Sequence, residues 1–266
     1  KMAAKKAADT FMSAWARRQW IERESDMPAA PADVESMYST HEEMMSHPLA
    51  ESDFGGIAGY KLGAAGAEGE VAIYAPIFNK FVVENSLSMS QSAFNMHTLE
   101  AEIGVIISRD LPPRDSSMPY TLDEVWSAVG AVRPVIECCG RRMTPELNAR
   151  LTPLAKFNDA LMTGGVVLGE RFEASMFTPA SLAAVESKIC INSGVAAEGK
   201  GNACPAGGPI ESLTWFVNRL HGRGHSLRKD QLVITGATCK TLSFKANDQV
   251  VAKFSGFPDV STTILS

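Results

Sequence analysis

Apolar positions set two periods along this chain. From residue 99 to 107 they alternate, so Leu99, Ala101, Ile103, Val105 and Ile107 line one side of a predicted strand. Glu100 and Glu102 line the other side, which runs on through Gly104 to Ile106. A solvated face does not continue that way, so both carboxylates are expected where an interior face opens into a cavity. Further apolar runs predict strands over 57–63, 71–74, 81–83, 132–139, 165–168, 187–192, 231–235 and 250–254. Helical spacing is rarer. Phe11, Met12, Trp15 and Trp20 predict a helix over 3–22, followed by a Pro-containing connector and a shorter helix over 32–45. Thr121 and Glu124 form a capping box that opens a helix presenting Val125, Trp126 and Val129. Pro209 opens another that buries Leu213, Phe216, Val217 and Leu220 and stops at Gly222. Many strands, few helices and no βαβ alternation predict a β-rich α+β fold.

Composition narrows the function classes. A chain of 266 residues with net charge −5 lacks the clustered Lys and Arg of a broad nucleic-acid surface. No apolar run approaches the roughly 18–20 residues of a membrane span. Five cysteines without regular spacing point to a reducing compartment rather than a disulfide scaffold. The first residue is Lys1. Lys5, Lys6, Arg17 and Arg18 follow against the single acid Asp9. This basic segment reads as a surface helix or as the remnant of a targeting segment. The expected compartment is the cytoplasm or the mitochondrial matrix.

A third acid joins the first pair. The run over 132–139 places Val135, Glu137 and Cys139 on one strand face, so Glu137 is again an acid among apolar neighbours. Ionised carboxylates in such places need a cation, a proton or strong donors. Spacing leaves two readings open. The acids are solvated on an edge strand, or they form an oxygen set for a hard divalent ion, Mg²⁺ or Mn²⁺. Lys61, between glycines on the run over 57–63, is either a surface residue at a strand end or a group that holds a carboxylate or moves a proton.

Other motifs are weaker. Residues 194–201 nearly spell a P-loop, but Gly201 replaces the hydroxyl residue and no helix follows, so a glycine-shaped hairpin is expected. His221 and His225 have helical spacing without an intervening Glu and read as surface histidines. Cys138 and Cys139 point to opposite strand faces and cannot easily share a tetrahedral site.

The ordered segments GYKLG at 59–63, LEAEIGVIISRDLPP at 99–113, RPVIECCGRR at 133–142, GGVVLG at 164–169, PIESLTWFVNRL at 209–220 and DQLVITGA at 230–237 carry a resemblance. Together they resemble the fumarylacetoacetate hydrolase superfamily, in its branch of 2-keto-4-pentenoate hydratases and 4-oxalocrotonate decarboxylases. The resemblance implies an α+β fold built on a mixed β-roll with flanking helices. A helical N-terminal segment over 1–50 would precede a catalytic domain over 51–266. It implies Mg²⁺ or Mn²⁺ held by Glu100, Glu102 and Glu137, Lys61 and Asp159 as catalytic groups, and Thr238 and Arg142 as substrate-binding groups. A homo-oligomer, or a subunit of a larger complex, is implied as well. The chain departs from the family at Arg133, where many relatives have His. It departs again at Asp159-Ala160-Leu161, where many have Asp-Asn-Ala, and at Ile77, where some hydratases have an acid. These changes leave the metal set intact and the exact reaction open.

The expected activity is a Mg²⁺-dependent hydratase acting on a small 2-oxo or enol carboxylate such as 2-hydroxypenta-2,4-dienoate. The same electron sink would support a decarboxylase or an acylpyruvate hydrolase. A reading from another class is a catalytically silent member serving as a structural or accessory subunit of a larger, possibly mitochondrial, assembly.

Overall fold

A computed structural model describes residues 1–65, 71–94, 96–115 and 117–266. Its strands, in chain order, are β1 (Ile57–Ala65), β2 (Val71–Phe78), β3 (Val82–Glu84), β4 (Met89–Ser90), β5 (Met96–Ile107), β6 (Val129–Gly140), β7 (Thr163–Leu168), β8 (Phe172–Glu173), β9 (Glu186–Ile191), β10 (Gly194–Lys200), β11 (Leu232–Ala237), β12 (Leu242–Ser243), β13 (Gln249–Phe254) and β14 (Val260–Leu265). The larger sheet runs β2-β1-β11-β5-β6-β7-β3, with β12 added to β5 and β8 to β6. It is mixed, because β1 pairs with β11 and β3 with β7 in parallel while β5 and β6 are antiparallel to their neighbours. The smaller sheet runs β10-β9-β13-β14-β4.

The larger sheet curls. β2 and β7 are far apart in strand order, yet Thr163 Oγ1 donates to Pro76 O at 3.3 Å. Curling gives the sheet an outside and an inside. Leu99, Ala101, Ile103, Val105 and Ile107 all face outward into the main core, which they share with the helix Pro209–Gly222 and the smaller sheet. The inside holds a small apolar core of Ile77, Val135, Val166, Leu168, Leu232 and Ile234. Ile77 is therefore a packing residue on the inner face. Close approach between strands demands glycine at Gly59, where a Cβ would lie 1.7 Å from Leu232 O.

Helix α1 (Met2–Arg17) ends where Arg18 takes a left-handed φ of 54° and its N–H bonds Ala14 O and Trp15 O. That cap removes Trp20 from the helix expected over 3–22. Phe11, Met12 and Trp15 are buried, and Trp15 stacks on Phe81 with ring centroids 4.6 Å apart. Helix α2 (Val34–Met45) is capped by Asp33, which accepts from Ser36 N–H at 2.8 Å.

Several elements differ from the sequence expectation for identifiable reasons. The capped helix stops at Trp126, and Val129 already belongs to β6. The expected hairpin is present as β9–β10, but Asn192 and Ser193 turn it at φ 49° and 70°, while Gly194 and Gly199 lie within β10. β14 is not readable from hydrophobicity, because Ser261 and Thr263 alternate with Val260, Thr262 and Ile264. His221 is not a surface histidine; it is 7% exposed and its ring packs edge-on against Tyr120.

The packing of α1 is expected to contribute to global stability. Trp15→Ala should cost about 3–5 kcal/mol in denaturant unfolding. A cost below about 1 kcal/mol would show that α1 docks without stabilising the sheet.

Candidate functional site

Strand register builds the site. Glu100 and Glu102 lie two residues apart on β5 and face inward, and Glu137 on β6 stands directly opposite Glu100. Direct cross-strand neighbours have Cβ atoms about 4.5–5.5 Å apart, and like charges there repel. Lys61 approaches from β1, three inter-strand steps away from β6. On a flat sheet that is roughly 14 Å, too far for one Lys and one Glu side chain to meet. The curl closes the gap, and Lys61 Nζ donates to Glu137 Oε1.

Each acid has a different environment. Glu102 is 0% exposed; its Oε2 accepts from Gly236 N–H at 2.8 Å, and its Oε1 has no partner among the described residues. Gly236 is required there. Its φ is 107°, and a Cβ would lie 2.3 Å from Pro205 Cδ. Glu137 is 1% exposed, and its Oε2 faces no donor other than the carboxyl of Glu102 when that group is protonated. Glu100 is half-buried and accepts from Thr241 Oγ1. Lys61, Glu100, Cys139 and Thr241 line a cavity of about 260 Å³, walled on its apolar side by Phe157, Leu161 and Pro205. That volume suits a small ligand, just under the usual 300–1,000 Å³ range.

Burial drives the carboxyl of Glu102 well above the usual range, and the charges of Glu137 and Glu100 push the same way. Burial also raises Glu137, while Lys61 pulls it back. For Lys61, burial opposes its charge, but the combined attraction of Glu137, Cys139 and Glu100 keeps its pKa above the ordinary value. Burial raises the Cys139 thiol strongly. Three carboxylates face one ammonium. Fully ionised, the group carries an excess of two negative charges, the deficit a divalent cation fills. The two unpartnered buried oxygens are the donors such an ion needs, so the residues fit the ion.

Three expected site residues stand elsewhere. Arg142 and Asp159 are both 0% exposed and bind each other. Arg142 Nε donates to Asp159 Oδ1 at 2.6 Å, its backbone N–H to Oδ2 at 2.7 Å, Nη2 to Asp159 O at 3.0 Å and Nη1 to Thr163 O at 2.7 Å. Its guanidinium also stacks 3.9 Å from the Trp15 ring. All three guanidinium nitrogens and both Asp159 carboxylate oxygens are thus engaged in structural bonds, and neither residue borders the cavity. Their bonds bracket Ala160, Leu161 and Met162, three non-glycine residues at φ 44°, 51° and 56°. Such conformations cost about 1–3 kcal/mol each and need surrounding bonds to hold them. The pair therefore shapes the wall that Leu161 and Met162 present. Thr238 also misses the cavity: its hydroxyl donates to Ala101 O at 2.7 Å and shares a hydrogen bond with Ser187 Oγ at 2.7 Å. Thr241 is the hydroxyl at the cavity wall.

Thr241 carries no sequence signal. Cys139 does, through its two-residue spacing from Glu137. His41 adds a distant support. Burial lowers its pKa to about 4, and its ring nitrogen Nε2 lies 3.0 Å from Phe157 O. The neutral ring donates there, because a carbonyl oxygen can only accept.

No family model matches the chain. Among curated proteins it is similar to 2-keto-4-pentenoate hydratase of Paraburkholderia xenovorans (strain LB400), 26% identical over 191 residues. That match covers 71% of this chain and 66%, just under two thirds, of the relative. 2-Keto-4-pentenoate hydratase 1 of Dechloromonas aromatica (strain RCB) is 23% identical over 243 residues, covering 87% of this chain and 86% of the relative. Among solved structures, 4-oxalocrotonate decarboxylase from Pseudomonas putida G7, complexed with magnesium and adipate, superposes with a TM-score of 0.84 at 20% identity. It covers 98% of this chain and 97% of its own. A protein assigned to the fumarylacetoacetate hydrolase family from Yersinia pestis CO92 superposes at 0.60 with 16% identity, over 77% of this chain and 91% of that one. The chain has the fumarylacetoacetate hydrolase-type fold. Its similarity lies with the hydratase and decarboxylase branch.

The raised pKa of Glu102 has a consequence for stability. Above the ordinary Glu value of 4.5 the ion-free folded chain holds a proton that the unfolded chain releases. Unfolding then releases protons, so stability falls as pH rises from that value toward the raised one. Glu102→Gln should flatten this slope and stabilise the ion-free protein at pH 8 by about 1 kcal/mol or more. Denaturant unfolding at pH 5.5 and pH 8 measures both effects. An unchanged slope would place the proton elsewhere.

Proposed function

We propose that this chain holds Mg²⁺ or Mn²⁺ on Glu100, Glu102 and Glu137 and acts as a hydratase on a small 2-oxo or enol carboxylate such as 2-hydroxypenta-2,4-dienoate. The observation that carries this reading is the pair of unpartnered oxygens, Glu102 Oε1 and Glu137 Oε2, buried behind a cavity that Lys61 and Glu100 line. The decarboxylase of the same fold is complexed with magnesium and adipate, which supports a divalent ion and an organic acid as ligands. When bound, the ion would supply Lewis-acid stabilisation to negative charge on the substrate's carboxylate and 2-oxo oxygens.

The remaining chemistry falls to this chain's own groups. Lys61 is the proton carrier at the cavity wall, and it is fixed in place by Glu137. It would hold the substrate's carboxylate by charge or deliver a proton to carbon. Thr241 orients Glu100 by donating to it. Phe157, Leu161 and Pro205 cover the carbon chain and keep bulk water from it. Asp159 serves the turn that places Leu161, which leaves Lys61 without a second acid–base partner from that loop.

A second reading has its own support. Ile77 sits in the inner apolar core, at a position where some hydratases carry an acid. A silent member would serve as a structural or accessory subunit of a larger assembly, without turnover.

Turnover of 2-hydroxypenta-2,4-dienoate with Mg²⁺ or Mn²⁺, followed by loss of the dienoate absorbance, tests the proposal. Lys61→Met is expected to lower kcat by about 10²–10⁴-fold, with calorimetric uptake of the ion retained. Ion uptake with no turnover across a panel of 2-oxo acids would favour the silent reading. Absence of uptake would overturn the metal-dependent reading and leave the silent one.

A further inference from the structure

The donors that converge most closely are not the three acids. Carboxylate oxygens of Glu100 and Glu137 and the Sγ of Cys139 all lie within 4.8 Å of one another. In a tetrahedral site a sulfur donor at about 2.3 Å and oxygen donors at about 2.0–2.2 Å from the ion stand roughly 3.5 Å apart, so this trio needs to draw in by about 1 Å at most to share one ion. Each acid has one oxygen already bonded, Glu102 by Gly236 N–H, Glu137 by Lys61 and Glu100 by Thr241, and Glu102 is not part of the close trio. Two observations beyond the thiol point to a ligand. Glu137 is 1% exposed with Oε2 unpartnered, and Cys139 lines the same cavity as Glu100 and Lys61.

We infer that Glu100, Glu137 and Cys139 form a mixed oxygen and sulfur site that takes a thiophilic divalent ion of the Zn²⁺ class in competition with Mg²⁺. The inference rests on the metal-site reading above and adds a ligand to it. Hard Mg²⁺ gains little from sulfur, whereas Zn²⁺, Cd²⁺ and Co²⁺ bind thiolate well. As the metal–sulfur bond forms, the thiol proton leaves to solvent. Glu100 and Glu137 are common to both donor sets, so one ion excludes the other. The face of β6 sets this choice. Cys138 points the opposite way, with its thiol 3.8 Å from Met89 Sδ, and cannot substitute.

The test uses the full chain with Co²⁺, Cd²⁺ and Mg²⁺ as probes. Co²⁺-loaded protein should show a near-ultraviolet sulfur-to-metal charge-transfer band that is absent from both Cys139→Ser and Cys139→Val. Cd²⁺ affinity should fall about 100-fold or more in those variants, at least the loss that follows removal of an outer-sphere partner. Mg²⁺ affinity should change far less. The other four cysteines stay in every variant, so the difference isolates Cys139. Two variants guard against a folding defect in one, and retained Mg²⁺ uptake verifies the fold. Co²⁺-loaded wild type without the band, or Cd²⁺ affinity unchanged in both variants, overturns the inference while Mg²⁺ uptake still supports the three-acid site. A wild-type chain that takes none of the three ions overturns both.

Discussion

The structure depends on confining negative charge inside a curled sheet. Glu100 and Glu137 stand opposite each other across β5 and β6, and Glu102 sits beside them with no exposure to solvent. One lysine cannot neutralise three carboxylates. Without a cation the group keeps a proton, and burial places that proton on the Glu102 side of the pair. The same deficit makes the site receptive to a divalent ion. Curling of the sheet is the structural condition for all of this. It brings Lys61 to Glu137 across three strand spacings and lets the cavity open beside them.

The cavity wall has a separate support. Ala160, Leu161 and Met162 are all left-handed, a conformation that non-glycine residues avoid. Arg142 holds the turn from both ends by bonding Asp159 before it and Thr163 after it. Its guanidinium rests on Trp15 of α1, which stacks on Phe81. A chain of contacts thus runs from the N-terminal helix to the turn that supplies Leu161 and Met162. The helix contributes to the site through this wall and not through a group of its own, because α1 adds no residue to the cavity lining.

Much of this is legible in the sequence. Alternation over 99–107 separates the outer apolar face from the inner acidic one, and the same alternation on β6 places Glu137 among apolar residues. The six segments that resemble the family indicate the roll. What sequence cannot supply is the direction in which a side chain spends its hydrogen bonds. Asp159, Arg142 and Thr238 have residue types suited to a site, but their partners are each other, backbone carbonyls and Ser187. Thr241 reaches the cavity because β12 brings the chain back against β5, a long-range pairing with no local signature. β14 stays hidden because its Ser and Thr residues weaken the apolar alternation. Tyr120, which packs on the His221 ring, comes from a distant segment.

The most direct measurement of the central claim is anomalous diffraction at the manganese edge from crystals grown with Mn²⁺. The account predicts a single strong peak within coordination distance of carboxylate oxygens from Glu100, Glu102 and Glu137. A map without a peak there, in which Lys61 still bonds Glu137 and the cavity holds only water, would contradict it.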